Sequence, residues 1–314
     1  MSAAPKLAVE SPMISRVHSS NLKGGLNAEL GRHTLVLGAS ASGKSALIQA
    51  IECALGLGES DYQGREVVKL PAWERMLTAD GQEPDVELTV EPETTGGRLL
   101  YREALAALRK SPIFAMAALV GLAAPEALSE ENEAIRGLDF ARHWQGVYAG
   151  ARPVDPKWLA WFADERSRAS RMHEKARVQR SRELAEVYRE ASPIVRQMAL
   201  AASQYVPIEL GDLVVDLGRA KAPKCALGLR RAGRTRYGLS GSEWSICVSA
   251  LAVTMADPGK LCLVIPEDRA VSPGLLSAWL ERLSFAPCQV LITAVNAPER
   301  LPADWKVWSP DAAS

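Results

Sequence analysis

The chain has 314 residues, of which 47% are hydrophobic and 24% charged, so it can bury one large core or two modest ones. Its 37 Lys and Arg balance its 37 Asp and Glu, which excludes a whole-chain charge that would attract nucleic acid or a membrane, and no apolar run approaches the roughly 20 residues of a membrane span. Five cysteines without a CxxC pair exclude a disulfide framework and a zinc site, so we expect a cytoplasmic α/β protein that is not embedded in a membrane.

The N-terminal part begins with two strands, a glycine-rich loop and a helix. An apolar run at 13–17 and a run of β-branched residues and leucine at 33–37 predict strands, the second buried on both faces. The segment 38–45 then supplies two glycines, three serines and a lysine. Apolar residues spaced along one face of 47–55 predict a helix directly after this loop.

The middle of the chain predicts a strand, an interrupted helix and a basic arm. Alternation predicts a strand at 86–90, and 104–124 predicts a helix that Pro112 interrupts. From 156 helix-forming residues dominate, and Ser192-Pro193 resembles a helix start, which predicts a hairpin of helices at 156–191 and 193–205. The first of these helices has seven basic residues against one acid between 166 and 182.

The last third returns to alternating strands and helices. We expect strands at 212–216, 225–229, 261–265 and 289–293, a basic turn at 230–234, and helices that end near Ala256 and Leu283. The predicted organisation is one domain in two halves, at 1–150 and 206–314, with a helical hairpin arm inserted between them at 151–205.

The loop after the second strand matches the phosphate-binding P-loop pattern at every required position. It lies between a predicted strand and a predicted helix, which is the context that the motif requires. Its backbone N–H groups can surround phosphate oxygens, Lys44 is a positive charge for the outer phosphates, and the Ser45 hydroxyl is a ligand for Mg²⁺. The sequence therefore predicts an ATP·Mg²⁺ site made of Gly38, Ala39, Ser40, Ala41, Ser42, Gly43, Lys44, Ser45 and Ala46.

A second loop, Leu239-Ser-Gly-Ser-Glu243, precedes an apolar helix. Ser240 and Glu243 form a capping-box pattern, and the helix start that they cap is also a site for an anion. With this loop, the P-loop and Asn21-Leu-Lys-Gly24, the chain resembles the ABC-type ATPase heads of the RecF/SMC family, which act in DNA repair and chromosome organisation. The predicted arm lies where that family inserts its coiled coil.

The resemblance implies a P-loop ATPase of ABC type, with a two-lobed head that the hairpin arm splits. It implies a homodimer that encloses ATP, in which Ser240, Gly241 and Ser242 of each subunit contact the nucleotide held by the other, while Lys23 contacts it from the end of the first strand.

The family pattern of acidic residues is altered after the strand at 261–265. In one register, Pro266 replaces the carboxylate that steadies the metal and Glu267 is the general base; in a shifted register, Glu267 serves the metal and Asp268 the water. The family's later histidine is replaced by Ala294. These departures predict slow hydrolysis of ATP.

The glutamine that senses metal and water in the family is best matched by Gln145, with Gln63 and Gln82 as weaker candidates. An ordinary surface glutamine is an equal alternative for this position.

Two basic groups, in the arm and at Arg230, Arg231 and Arg234, predict salt-sensitive binding of DNA or of a DNA-processing partner. One alternative is an arm whose arginines pair with Glu183, Glu186 and Glu190. The corresponding alternative function is a nucleotide-gated scaffold dimer that binds no DNA.

Overall fold

The computed structural model describes residues 11–22, 25–40, 42–55, 85–94, 96–122, 156–257, 259–266 and 271–310. Strands and helices alternate along these ranges, so the predicted α/β class is confirmed. The chain forms two compact units. The first comprises Met1–Arg109, Arg196–Asp216 and Ala226–Ser314, and the second comprises Lys110–Val195 and Leu217–Cys225.

The first unit contains a parallel sheet of five strands. In spatial order these are β11 (Trp305–Trp308), β3 (His33–Leu37), β10 (Gln289–Ala294), β9 (Cys262–Val264) and β5 (Arg98–Leu99). The strands β3, β9 and β10 are buried along nearly their whole length, as their uninterrupted apolar runs predict. The two outer strands, β5 and β11, were not predicted from the sequence. The strand β5 has only two residues, and polar and apolar residues alternate only once in β11.

An antiparallel sheet of three strands belongs to the same unit. The strand β1 (Met13–Ser19) lies between β2 (Leu26–Glu29) and β4 (Glu87–Glu91). Helix α1 (Lys44–Ala54) buries Leu47 and Ile51 in a hydrophobic core that also contains residues from this sheet and from the parallel sheet. The core fixes the start of α1 at the end of β3.

The predicted helix at 104–124 is two helices, α2 (Leu100–Leu108) and α3 (Pro112–Leu119), separated at Pro112 as expected. Helix α5 (Gly241–Thr254) belongs to the first unit, packs against α2 and β9, and is buried without interruption from Ser245 to Val253. Helix α6 (Pro273–Leu283) completes the regular helices of this unit among the described residues.

The predicted hairpin arm is wrong. A single helix, α4 (Pro156–Ala202), runs through Pro193 without a break. Proline inside a helix removes one hydrogen bond and costs about 3 kcal/mol. Ala191, Val195 and Ala199 on either side of it are buried, and this burial offsets the local cost. A return helix antiparallel to the arm is therefore absent at 193–205.

A third sheet consists of β6 (Asp212–Arg219), β7 (Ala222–Arg231) and β8 (Arg234–Arg236). The expected basic turn at 230–234 is narrower than predicted, because Arg230 and Arg231 end β7 and Arg234 begins β8. Only Ala232 and Gly233 form the turn between the strands.

Within the described residues, no helix combines the length and the apolar character needed to cross a bilayer. The 47-residue α4 is long enough, but its sequence carries charged residues in every part of its length.

Candidate functional site

The glycine-rich loop lies where β3 ends and α1 begins. The Gly38 N–H donates to the carbonyl of Ala294, the last residue of β10, at 3.2 Å, so the loop starts at the carboxyl edge of the parallel sheet. Gly43 has a φ of +103°, in the left-handed region that glycine adopts without strain, and it directly precedes α1. Ligands of open parallel sheets bind at this edge.

The Lys44 side chain folds back into the loop. Its Nζ donates to the carbonyls of Gly38 and Ala39, both at 2.8 Å, and the residue is only 7% exposed. The ammonium group therefore lies inside the curve of the loop, held by two neutral oxygens. Anionic oxygens make stronger, charge-assisted bonds to an ammonium group than carbonyls do.

The loop has a buried polar atom whose bonding capacity is unused. The Ser42 hydroxyl is buried and has no hydrogen-bond partner among the described residues. A β-carbon at Gly38 would lie 2.5 Å from this hydroxyl, so only glycine leaves the hollow open. No side chain caps α1, whose N-terminal dipole also attracts an anion. These features fit a phosphate group.

For the remaining residues of the loop, the structure gives only how exposed each one is. Ala39, Ser40 and Ser45 are exposed, Ala46 is half-buried, and Ala41 lies outside the described residues. The Ser45 hydroxyl is an oxygen donor of the kind that Mg²⁺ prefers. Within the described ranges, no group of three His, Cys, Asp or Glu side chains is arranged to hold a metal ion.

Pro310, at the C-terminal end of the described residues, lies beside the loop. Pro310 lies 3.5 Å from the position of a β-carbon at Gly38 and 3.8 Å from that at Gly43. Sequence reasoning missed this residue, because it is remote from the motif and follows the unpredicted strand β11.

The motif after β1 is ordered by a carboxylate. Asp85 accepts hydrogen bonds from Ser19, Ser20 and the Asn21 N–H, and its own N–H donates to Asn21 Oδ1 at 3.0 Å. The Ser19 and Ser20 hydroxyls hold the pKa of Asp85 well below its usual value. Lys23, which was predicted to reach the nucleotide from here, lies outside the described residues.

The second loop forms the predicted capping box at the start of α5. The Glu243 N–H donates to Ser240 Oγ at 3.3 Å, and the Ser240 N–H donates to Glu243 Oε2 at 2.8 Å. Ser240 and Gly241 are exposed, and Ser242 is half-buried with its hydroxyl 3.3 Å from that of Ser240. The loop is therefore ordered and accessible within one chain.

Arg236 contacts this loop, and sequence reasoning missed it. Its guanidinium forms an ion pair with Glu243, and its Nη1 donates to the carbonyl of Gly238 at 3.0 Å. Burial would raise the pKa of Glu243, but Arg236 and the Ser240 N–H together lower it. An arginine four residues before a capping serine was the available signal.

The strand expected to carry acidic residues ends earlier than predicted. The strand β9 stops at Val264, and Ile265 and the buried Pro266 follow it. Glu267, Asp268 and Gln145, the predicted catalytic residues, lie outside the described residues. Ala294 occupies the end of β10, and its carbonyl accepts the Gly38 N–H.

Comparison with protein-family models and with curated protein sequences found no match to this chain.

Proposed function

We propose that the chain is an ATP-binding protein of the ABC-ATPase type, with ATP·Mg²⁺ held by the loop at 38–46. The observation that carries the proposal is the position of Lys44. Its ammonium group lies inside a loop at the carboxyl edge of a parallel sheet and donates hydrogen bonds to two carbonyls. In the same loop, the buried Ser42 hydroxyl has no hydrogen-bond partner among the described residues. A bound triphosphate accepts charge-assisted hydrogen bonds from the Lys44 ammonium group, in place of the two carbonyls, and from the Ser42 hydroxyl.

The residues around the loop have distinct roles in this proposal. Lys44 moves from the Gly38 and Ala39 carbonyls to phosphate oxygens, and the Ser42 hydroxyl donates a hydrogen bond to the ligand. Ser45 holds Mg²⁺, and the metal, when bound, neutralises charge on the outer phosphates. The position of the loop supports this placement, because it follows the carboxyl end of β3 in a parallel sheet, the edge at which open parallel sheets bind their ligands.

The second half of the proposal is a homodimer around ATP. Ser240 and Gly241 are exposed at the N-terminus of α5, which has the dipole and the N–H groups for a γ-phosphate. Among the described residues, no hydrogen bond joins this loop to the loop at 38–45. A second copy brings the two loops together by two-fold symmetry, so that each subunit completes the other's site.

We further propose that the ATP-bound state engages DNA or a DNA-processing partner through α4. Exposed basic residues follow one another at seven-residue intervals, about 10 Å apart, along this helix: Arg168, Lys175, Arg182 and Arg189. Among the described side chains, Lys175, Arg182 and Arg189 form no ion pair with an acid. The alternative of an arm neutralised by its own glutamates therefore lacks support at these three positions.

Hydrolysis is slow in this proposal. Pro266 follows β9 where the family pattern has a metal-binding carboxylate, and Ala294 replaces the histidine after the next strand. Neither side chain can transfer a proton or bind a metal. The same two positions favour the second candidate function, a scaffold dimer that ATP holds together and that binds no DNA.

The ATP site is tested by calorimetric titration with ATP and Mg²⁺. Replacement of Lys44 with Ala lowers the affinity at least about 100-fold, because charge-assisted bonds to phosphate are lost. Lys260→Ala, which removes an exposed lysine paired with Asp257, is the control and leaves the affinity unchanged. Equal affinity of the Lys44→Ala variant and the wild type would refute the ATP site.

The dimer is tested by light scattering with a non-hydrolysable ATP analogue. We expect Ser240→Arg to bind the analogue as a monomer, and the control Ala220→Arg, at an exposed turn, to dimerise as the wild type does. Dimers of both variants would refute the shared site.

A further inference from the structure

The hairpin of β7 and β8 presents arginines on one face. The antiparallel register pairs Arg231 with Arg234 and Leu229 with Arg236. Side chains alternate across a strand, so Arg231, Arg234 and Arg236 share one face, while Arg230 and Thr235 share the other. We call Arg231 and Arg234 the tip pair.

Two of the four arginines already have partners. Arg230 lies 3.4 Å from the Asp212 carboxylate, and Arg236 pairs with Glu243. The tip pair differs, because both its members are exposed and neither forms an ion pair among the described residues. These two guanidinium groups retain their full capacity to bind an anion.

The tip pair is unfavourable for the hairpin itself. Arg231 and Arg234 are directly opposite one another, about 5 Å apart at Cα, and like charges in that position repel. The two-residue turn between them requires positive φ at both positions, which are +48° at Ala232 and +76° at Gly233. Among the described residues, Ala232 is the only non-glycine residue with positive φ.

Like-charge repulsion and a non-glycine residue at positive φ coincide at this exposed turn. Residues held in such a conformation cluster at sites that bind ligands. A tight turn fixes the separation of the tip pair in advance, so less entropy is lost when both arginines bind one anionic partner. Planar guanidinium groups match the geometry of phosphate oxygens, and two of them can bind neighbouring phosphates of one backbone.

We propose that the tip pair binds the phosphate backbone of duplex DNA without regard to base sequence. The site is distinct from the basic face of α4 and rests on the DNA-engaging part of the proposed function. Because Arg236 joins the same face to Glu243, DNA bound at the tip pair lies close to the loop that precedes α5.

The test measures the affinity of the full chain for a fluorescent 30-base-pair duplex over a range of salt concentrations, both without nucleotide and with a non-hydrolysable ATP analogue. Replacing both tip arginines, in Arg231→Ala/Arg234→Ala, lowers the affinity at least about tenfold at low salt. It reduces the slope of log affinity against log salt by about 1.8, since two phosphate contacts are lost. The matched control is Arg219→Ala/Lys221→Ala, which removes two exposed charges at the other end of β7. We expect less than about a threefold loss of affinity in the control and an unchanged slope.

Thermal unfolding separates loss of binding from loss of structure. Removal of the tip pair relieves repulsion, so the variant unfolds at the same temperature as the wild type or at a higher one in low salt. Should the alanine variant fail to fold, Arg231→Gln/Arg234→Gln keeps the length of the side chains and is measured instead. Equal losses in the tip variant and its control, or wild-type binding by the tip variant, overturn the proposal.

The ATP site is independent of this result. If ATP fails to bind while the tip variant still loses DNA, only the nucleotide proposal fails. If ATP binds and the wild type retains no duplex at low salt, the tip-pair proposal fails.

Discussion

The carboxamide of Gln289 on β10 pairs with both backbone groups of Ile14 on β1. Its Oε1 accepts the Ile14 N–H at 2.9 Å, and its Nε2 donates to the Ile14 carbonyl at 2.8 Å and to the Gly31 carbonyl at 2.9 Å. Gln289 is fully buried. The pairing of β1 with β4 is irregular between Ile14 and Arg16, so a side chain satisfies backbone groups where the ladder is disrupted.

This link predicts a large loss of stability in Gln289→Ala. Three hydrogen bonds are lost and the buried backbone groups of Ile14 lose their partner, which costs about 3 to 5 kcal/mol of unfolding free energy. Urea unfolding measures the change. Gln197→Ala, at an exposed position of α4, is the control and changes the free energy by less than about 0.5 kcal/mol. A similar small change in Gln289→Ala would contradict the structural role.

We expect replacement of Ser42 to have opposite effects on the stability of the fold and on the affinity for ATP. The Ser42 hydroxyl is buried without a partner among the described residues, so Ser42→Ala removes an uncompensated polar group and raises the unfolding free energy by about 1 kcal/mol. If ATP is the ligand, the same change lowers its affinity, because a hydrogen bond to phosphate is lost.

Ser277→Ala is the matched control for this variant. The Ser277 hydroxyl donates to the Pro273 carbonyl and accepts the Arg300 N–H, so its removal costs about 1 to 2 kcal/mol and leaves nucleotide affinity unchanged. Unfolding and calorimetry together distinguish the two serines. Lower stability with normal affinity in Ser42→Ala would contradict the prediction.

Arg236 predicts a charge effect on dimerisation. Without its guanidinium, the Glu243 carboxylate remains unbalanced beside Ser240 and repels an incoming phosphate. We expect Arg236→Ala to weaken ATP-dependent dimerisation about tenfold, equivalent to about 1.4 kcal/mol. Glu243→Gln added to that variant removes the repulsion and restores dimerisation to within about threefold of the wild type.

Light scattering on the two single variants and the double variant completes this cycle. Failure of Glu243→Gln to rescue Arg236→Ala would assign Arg236 a role in loop conformation alone, through the Gly238 carbonyl.

The basic face of α4 predicts a salt-dependent contribution to DNA affinity. Replacing Lys175, Arg182 and Arg189 with Gln removes up to three phosphate contacts and lowers the salt slope by about 2.7. Glutamine preserves helix propensity, so helical content measured by circular dichroism stays constant. A slope equal to that of the wild type would contradict a role of these three residues in DNA binding, and no binding of DNA by the wild type would favour the scaffold function.

His33 predicts acid sensitivity of the sheet that carries the loop. Its ring is buried and stacked on Trp305 with centroids 5.3 Å apart, and burial lowers its pKa to about 4. In the unfolded chain the pKa of His33 is about 6.5. Below that pH the unfolded chain binds a proton at His33 that the folded chain does not bind. The contribution of His33 to the free energy of unfolding is therefore fully present above that pH. About 3 kcal/mol of it is lost as the pH falls towards 4.

Urea unfolding between pH 7 and pH 4 measures this loss. In His33→Phe the aromatic contact with Trp305 is retained and the titrating group is removed, so the variant loses about 3 kcal/mol less than the wild type over the same interval. Parallel curves for the two proteins would contradict the assignment to His33.

The sequence predicted those elements whose signals are local. The run at 33–37 is continuous and apolar because β3 is buried on both faces, and Ser240 with Glu243 predicted the capping box that the structure contains. The P-loop pattern is likewise local, since each of its residue types is required within eight consecutive positions. That ATP binds to this loop stays a prediction.

Other features depend on residues far apart in the chain. Whether Pro193 ends a helix depends on the burial of Ala191 and Val195, and local propensity alone predicted a break there. Gln289 reads as a polar residue at a strand start, and only the approach of β1 makes its three bonds possible. The sequence determined which short segments become strands, helices and caps, because those choices depend on neighbouring residues. The tertiary structure decided the continuity of α4, the partner of Gln289 and the pairing of Arg236, because burial and long-range contacts depend on the whole fold.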